Sequence, residues 1–180
     1  MKKTTLLLAL VISAGSLFAQ KKTTTSAIVG FDATTEKDAL PKAENKTVIG
    51  SLDTQTGAVA FEAAVKNFSF SNPRMQEHFN GGNWMNSDQF PKFSFTGKLD
   101  KLSKVKFTKD GTYNVEVNGN LTVKGITQKK KIKGTITVAN GKIQIAANFT
   151  VKLSDYNITG QPVEAGKVSR EPKVTVSAEF

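Results

Sequence analysis

The residues best placed to do chemistry lie in the stretch RMQEHFNGGNWMNSDQFPKFSF, Arg74 to Phe95, of this 180-residue chain. It carries the only histidine, His78, and the only tryptophan, Trp84, around a Gly-Gly pair. An imidazole serves as general base, as metal ligand or as hydrogen-bond donor to a polar head. The first two roles need companions. A Ser-His-Asp arrangement would have to draw its serine and aspartate from distant positions, and no second histidine exists to complete a common metal site. The third role needs only a neighbour: Arg74 lies one helical turn before His78, so both can face one way and donate to a phosphate. The remainder of the stretch is largely apolar: Met75, Phe79, Trp84, Met85, Phe90, Phe93 and Phe95. Large apolar groups beside a few polar ones make the rim of an apolar pocket rather than a catalytic loop, and methionine suits such a rim because it adapts to irregular shapes.

Other chemistries find little support. The chain has no cysteine, which excludes thiol nucleophiles, thiolate zinc sites and dithiol redox chemistry. Its acidic residues, among them Asp53, Glu62, Asp100, Asp110 and Glu116, stand isolated in turns or on outward parities, with no paired-carboxylate or phosphate-loop motif. A non-enzymatic protein without cofactor or metal is expected. The run Lys129-Lys130-Lys131 with Lys133 resembles a phosphate or nucleic-acid patch, but Lys129, Lys131 and Lys133 alternate with Ile132 and so form the solvated face of a strand. Stacking aromatics for single-stranded nucleic acid would have to share that face, and here they take the other one. No nucleic-acid partner is expected.

The elements that position these residues follow from period-two alternation. Val59, Phe61, Ala63 and Val65 share one parity; so do Phe93, Phe95 and Leu99, then Val105 and Phe107. Tyr113 to Val123, Ile132 to Val138, Ile143 to Leu153 and Val174 to Phe180 continue it. Each segment is a strand with one apolar face. Thr56-Gly57, Lys109-Asp110-Gly111, Gly125 and Asn140-Gly141 supply turns between them, the last favouring a type I′ hairpin. The polar QKKTTTSA after residue 19 reads as a flexible lead-in. One break in the pattern is helical: Ser71 or Asn72 can cap, Pro73 fits the first position, and Met75 and Phe79 share a face. Eight or nine one-faced strands must sandwich or close, and an eight-stranded barrel either fills with its own side chains or holds one small ligand.

The first nineteen residues, MKKTTLLLALVISAGSLFA, combine two lysines, a short apolar core and small residues before Ala19. They read as a signal peptide cleaved near Ala19, giving a periplasmic or secreted protein whose residues 20–180 form one domain. The net charge of +10 includes Lys2 and Lys3. A basic balance favours transient contact with an anionic membrane surface; it equally serves solubility alone.

Several pieces resemble the YceI-like family of exported lipocalin-like barrels. They are GSLDTQTGAVAFEAAVKNFSF (Gly50 to Phe70), MQEHFN followed by QFPKFSF, VNGNLTVKGITQKKKI (Val117 to Ile132), FTVKLSDYNI (Phe149 to Ile158) and the terminal VTVSAEF, in the family's order. The resemblance implies an all-β, eight-stranded antiparallel barrel with a short helix and loop at its mouth. It further implies an apolar channel for a polyisoprenoid or other long-chain lipid, in a monomer or homodimer. Arg74, Met75, His78, Phe79, Trp84, Met85 and Phe90 would then meet the ligand at the mouth, with Phe61, Phe93, Phe95, Phe149 and Tyr156 deeper. Two departures are NGGNWMNSDQFP before the Phe-Pro element and Tyr156 within SDYNI. The competing expectation is a barrel filled by its own side chains that acts through its surface.

Overall fold

A strand with one apolar face must bury that face and pair both edges, and here closure does both. The computed structural model describes residues 21–180; the expected leader lies outside the described residues. Strands β1 (Lys21–Asp32), β2 (Lys42–Asp53), β3 (Ala58–Ala64), β5 (Lys92–Leu99), β6 (Gly111–Val123), β7 (Ile126–Ala139), β8 (Lys142–Thr150) and β9 (Lys173–Glu179) pair in the order β1-β9-β8-β7-β6-β5-β3-β2. Pairing of β2 with β1 then closes an eight-stranded antiparallel barrel. A two-residue strand, β4 (Ser69–Phe70), adds to β2 outside this circuit.

Two hairpins fix the register of β6, β7 and β8. Lys124 and Gly125 have φ of 49° and 75°, and Asn140 and Gly141 have 52° and 77°. Two consecutive positive φ angles define the type I′ turn, whose twist matches that of the strands it joins. Val123 therefore pairs with Ile126, and Ala139 with Lys142. The helix also forms as its signals indicate. In α1 (Pro73–Asn80), the Asn72 side chain accepts from the backbone N–H of Arg74 and Met75 while Pro73 occupies the first turn.

Two expectations need correction. The segment Lys21–Ser26 is strand, not a flexible lead-in: Lys21 to Thr24 pair with Gly50 to Asp53, because β2 extends far enough to offer its edge. Residues 105–107, expected as strand, belong instead to a loop of short turns between β5 and β6. Leu102, Val105 and Phe107 still turn inward, and that loop stoppers one end of the barrel.

At that end Leu52, Val59, Leu99, Val105, Ile136, Val138 and Ile143 pack together with none more than 6% exposed. The opposite end carries the segments between β1 and β2, between β3 and β5, and between β8 and β9. The last includes a short helix, α2 (Gln161–Glu164), which the alternation did not indicate.

Candidate functional site

Inward parity does not mean full burial between that floor and the mouth. Phe61, Phe93, Phe95, Val115, Val117, Phe149, Val174 and Val176 point inward on their strands but are only half-buried. Their tips face open space. A cavity of about 800 Å³ opens at the mouth, walled by Val29, Phe31, Phe68, Phe70, Met75, Phe79, Trp84, Met85 and Phe93 among others. A smaller chamber of about 150 Å³ lies further in, among Val59, Phe61, Phe95, Leu99, Val115, Val117, Ile136 and Phe149. The two share Val29, Phe68, Phe93, Val123 and Val151 as wall, so the cavities adjoin, one at the mouth and the other nearer the floor. An apolar cavity of about 150 Å³ holds a benzene ring, which sets the scale of the inner chamber at roughly six carbons.

The mouth is framed by aromatic rings. Phe31 stacks on Phe79 with centroids 5.5 Å apart, Phe70 meets Phe79 at 5.0 Å, and Phe68 bridges Phe31 and Phe93 at 5.8 Å to each. These separations fall within the favourable range for offset and edge contacts. Met75 and Phe79, one helical turn apart, both face this cavity.

The loop after α1 is tied to the helix by its backbone. Gly81 N–H donates to Glu77 and His78 carbonyls, Met85 N–H to Phe79, and Ser87 N–H to Asn80 at 3.1 Å. Ser87, 1% exposed, adds its hydroxyl to the Asn80 carbonyl at 3.2 Å. Trp84 and Met85 are therefore held at the mouth by a hydrogen-bonded loop. Across from them, the segment after α2 is fastened to the β1–β2 connection: Thr35 Oγ donates to Gly166 O at 2.8 Å, Lys37 Nζ to Ala165 O at 3.0 Å, and Ser169 N–H to Ala33 O at 2.8 Å.

Polar groups on the wall sit near the opening: Asp38, Glu77, His78, Asn83, Thr159, Gln161 and Lys167. Two carboxylates and one ammonium leave this rim without a cationic excess. Its polar side chains are chiefly exposed, so they can keep water or meet a ligand's head.

Of the residues expected from the sequence, Met75, His78, Phe79, Trp84, Met85 and Phe93 line the mouth cavity, and Phe61, Phe93, Phe95 and Phe149 line the inner chamber. Arg74, Phe90 and Tyr156 line neither. Arg74 is exposed on α1, so one-turn spacing from His78 did not bring it to the rim. Phe90 lies against the β6–β7 turn, where a Cβ added to Gly125 would come within 2.7 Å of its ring. It clamps the loop to the barrel rather than facing the cavity. Tyr156 is fully buried in the core beside the cavity, and its hydroxyl has no hydrogen-bond partner among the described protein atoms. Burial, with Asp155 adjoining, pushes that phenol up to about 12.

Sequence reading missed Val29, Phe31, Phe68 and Phe70, and the strip from Ile158 to Val168. The first four had a signal, since Val29 and Phe31, like Phe68 and Phe70, alternate at the ends of strands that lead into the mouth. The strip had only Gly160 and Pro162 as turn residues and isolated apolar Ile158, Val163 and Val168, a pattern that does not reveal which opening it covers.

Known proteins resemble this chain in sequence pattern and in fold. Residues 15–180 match the YceI-like domain. No curated protein matches the sequence. A polyisoprenoid binding domain from Saccharophagus degradans, implicated in plant cell wall breakdown, superposes with a TM-score of 0.73 at 12% identity, covering 89% of this chain and 97% of its own. BcnA of Burkholderia cenocepacia superposes at 0.70 with 15% identity, covering 86% and 96%. The YCEI protein of Campylobacter jejuni gives 0.59 with 14% identity, covering 100% and 90%. At these identities the likeness is one of fold.

Proposed function

This chain belongs to the YceI-like family, and from that membership and the hollow half of its barrel we propose that it binds a long-chain amphiphile in the cavity and carries or sequesters it without chemistry. The observation that carries this reading is the pair of adjoining apolar cavities, one at the mouth and one further in, with a shared wall. A polyisoprenoid is the ligand class named for the Saccharophagus degradans relative, and its branched, flexible chain suits a wall of phenylalanine, valine and methionine. Burying about ten methylenes at about 0.8 kcal/mol each gives roughly 8 kcal/mol gross, enough for micromolar binding before ordering costs are subtracted.

Export belongs to the same proposal. An amphiphile carrier working between membranes needs to be outside the cytoplasm, and the apolar leader of residues 1–19 would take it there. The rim supports a ligand head that is held by hydrogen bonds rather than by a cationic clamp, since the same wall carries Asp38 and Glu77 as well as Lys167 and His78.

Native mass spectrometry of freshly purified protein, paired with organic extraction, tests the reading. A co-purified amphiphile near one per chain is expected. Protein that carries none, and that also ignores fluorescent fatty acids and prenyl alcohols, overturns it.

A further inference from the structure

Phe61 and Phe95 are direct partners in the β3–β5 register and both point into the barrel, at the level of the inner chamber. Two phenyl rings side by side at that level would obstruct the lumen if they stood straight across it. They do not, because each has a glycine to lean on. A Cβ added to Gly50 on β2 would lie 2.8 Å from the Phe61 ring. A Cβ added to Gly119 on β6 would lie 2.5 Å from Phe95 Cζ, and one added to Gly97 would lie 3.0 Å from the same atom. Gly97 and Gly119 are themselves register partners. In the strand order β6-β5-β3-β2, the two rings therefore part in opposite directions, Phe95 toward β6 and Phe61 toward β2.

The parted rings sit between the open mouth and the packed floor. Only the width left between them and the floor remains for the far end of a ligand. We propose that the Phe61–Phe95 pair, folded back onto Gly50 and onto Gly97 with Gly119, gauges the length of hydrocarbon tail that this chain accepts. The inference rests on the carrier reading and adds to it a specificity-determining pair. It makes directional demands. Removing a ring enlarges the chamber. Filling a glycine notch drives a ring into the lumen and shortens it. Gly50 is the notch to fill, because the atoms nearest its added Cβ belong to the side chains of Phe61 and Thr24, whereas at Gly119 the backbone carbonyl of Thr96 is 2.5 Å away and a substitution would distort the strand pair.

The test is a binding series of prenyl alcohols growing by one isoprene unit, measured on the extracted full chain and on Phe95→Ala, Phe95→Leu and Gly50→Ala. Thermal unfolding and near-ultraviolet circular dichroism check that each variant is folded. For the unaltered chain, affinity should rise with each unit and then level off once the inner chamber is full. Phe95→Ala should move the levelling point longer by about one unit, since a phenyl-sized space holds roughly six carbons. Phe95→Leu should move it the same way by less, and it remains informative if the alanine variant does not fold. Gly50→Ala should move it shorter. A levelling point common to all folded variants, or a uniform loss at every length, overturns the gauge while leaving the carrier reading intact. An unaltered chain that binds no member of the series and carries no amphiphile overturns both.

Discussion

The two halves of the barrel are built from the same strands but solve opposite problems. At the floor, Leu52, Ile136 and Ile143 are at most 1% exposed and interdigitate beneath the stopper loop of Leu102, Val105 and Phe107. At the mouth half, Val29, Phe93 and Phe149 have the same inward parity and remain half-buried around open space. Alternation is identical in both. What differs is side-chain bulk against lumen width: loop residues plug the floor, whereas glycines at 50, 97 and 119 let phenylalanines lie back against the wall. A β-barrel can thus be both filled and hollow, with stability concentrated at one end and capacity at the other.

This contrast can be broken by exchanging costs between the halves. Ile143→Ala should destabilise the fold by about 3 kcal/mol, because the surrounding floor cannot collapse onto the lost methylenes, and should leave amphiphile affinity unchanged, since Ile143 lines neither cavity. Val29→Ala, facing the cavity, should cost less than about 1 kcal/mol, since the removed methyls had few partners on one side. Chemical denaturation of the two variants measures the difference, and equal losses would mean that the mouth half is packed.

Next in size is an effect on binding alone. Trp84→Ala removes an aromatic anchor at the rim and should weaken every long-chain ligand by about 2 kcal/mol, roughly thirtyfold, with little change in stability. Isothermal titration with a prenyl alcohol checks this; full affinity would reassign the loop as a cap that the ligand does not touch.

Tyr156 sharpens the boundary between core and cavity. Its buried hydroxyl lacks a partner among the described residues, so Tyr156→Phe should stabilise the chain by about 1 kcal/mol without changing binding. The phenol ordinarily titrates at 10 and is pushed up to about 12 in the folded chain. Between those values the unfolded chain releases a proton that the folded chain keeps, so the unfolded state binds fewer protons and stability falls as pH rises. Below pH 10 the contribution is fully present. Phenolate absorbance in a Tyr113→Phe background isolates the step, and Tyr156→Phe should remove the alkaline decline attributable to it.

The smallest effect concerns Arg74. Because it is exposed and absent from the cavity wall, Arg74→Ala should change stability and prenyl phosphate affinity by less than about 0.5 kcal/mol. A selective loss of phosphate-bearing ligands would restore the head-group role that its spacing from His78 suggested.

Much of this was legible in the sequence because the signals were local. Asn140-Gly141 and Gly125 set hairpins, Asn72 and Pro73 set the helix start, and alternation set inward faces, which left a sandwich or a barrel; the resemblance to the YceI-like family pointed to the barrel. Placement across the lumen was not local. Spacing on α1 put Arg74 and His78 one turn apart, but which face met the rim depended on how Met75 and Phe79 docked against Phe31 and Phe70. Tyr156 looked like a ligand contact because it takes the aromatic place in SDYNI, one of the pieces that resemble the YceI-like family, yet the turn at Leu153–Tyr156 buries it in the wall. Lys21–Ser26 looked like a tail because its side chains are polar, while its backbone pairing depends only on the length of β2. Whether the lumen was open depended on which way rings leaned, and that was decided by glycines on neighbouring strands.

The central claim is that the hollow half, and not the floor or the outer face, receives an amphiphile. Methyl NMR during titration with a spin-labelled prenyl or fatty alcohol tests it most directly. Broadening should fall on Val29, Val123, Val151 and Met85, with Ile143 and Leu52, which line neither cavity, spared. Broadening confined to the outer strand faces, or no broadening at saturating alcohol, would contradict it.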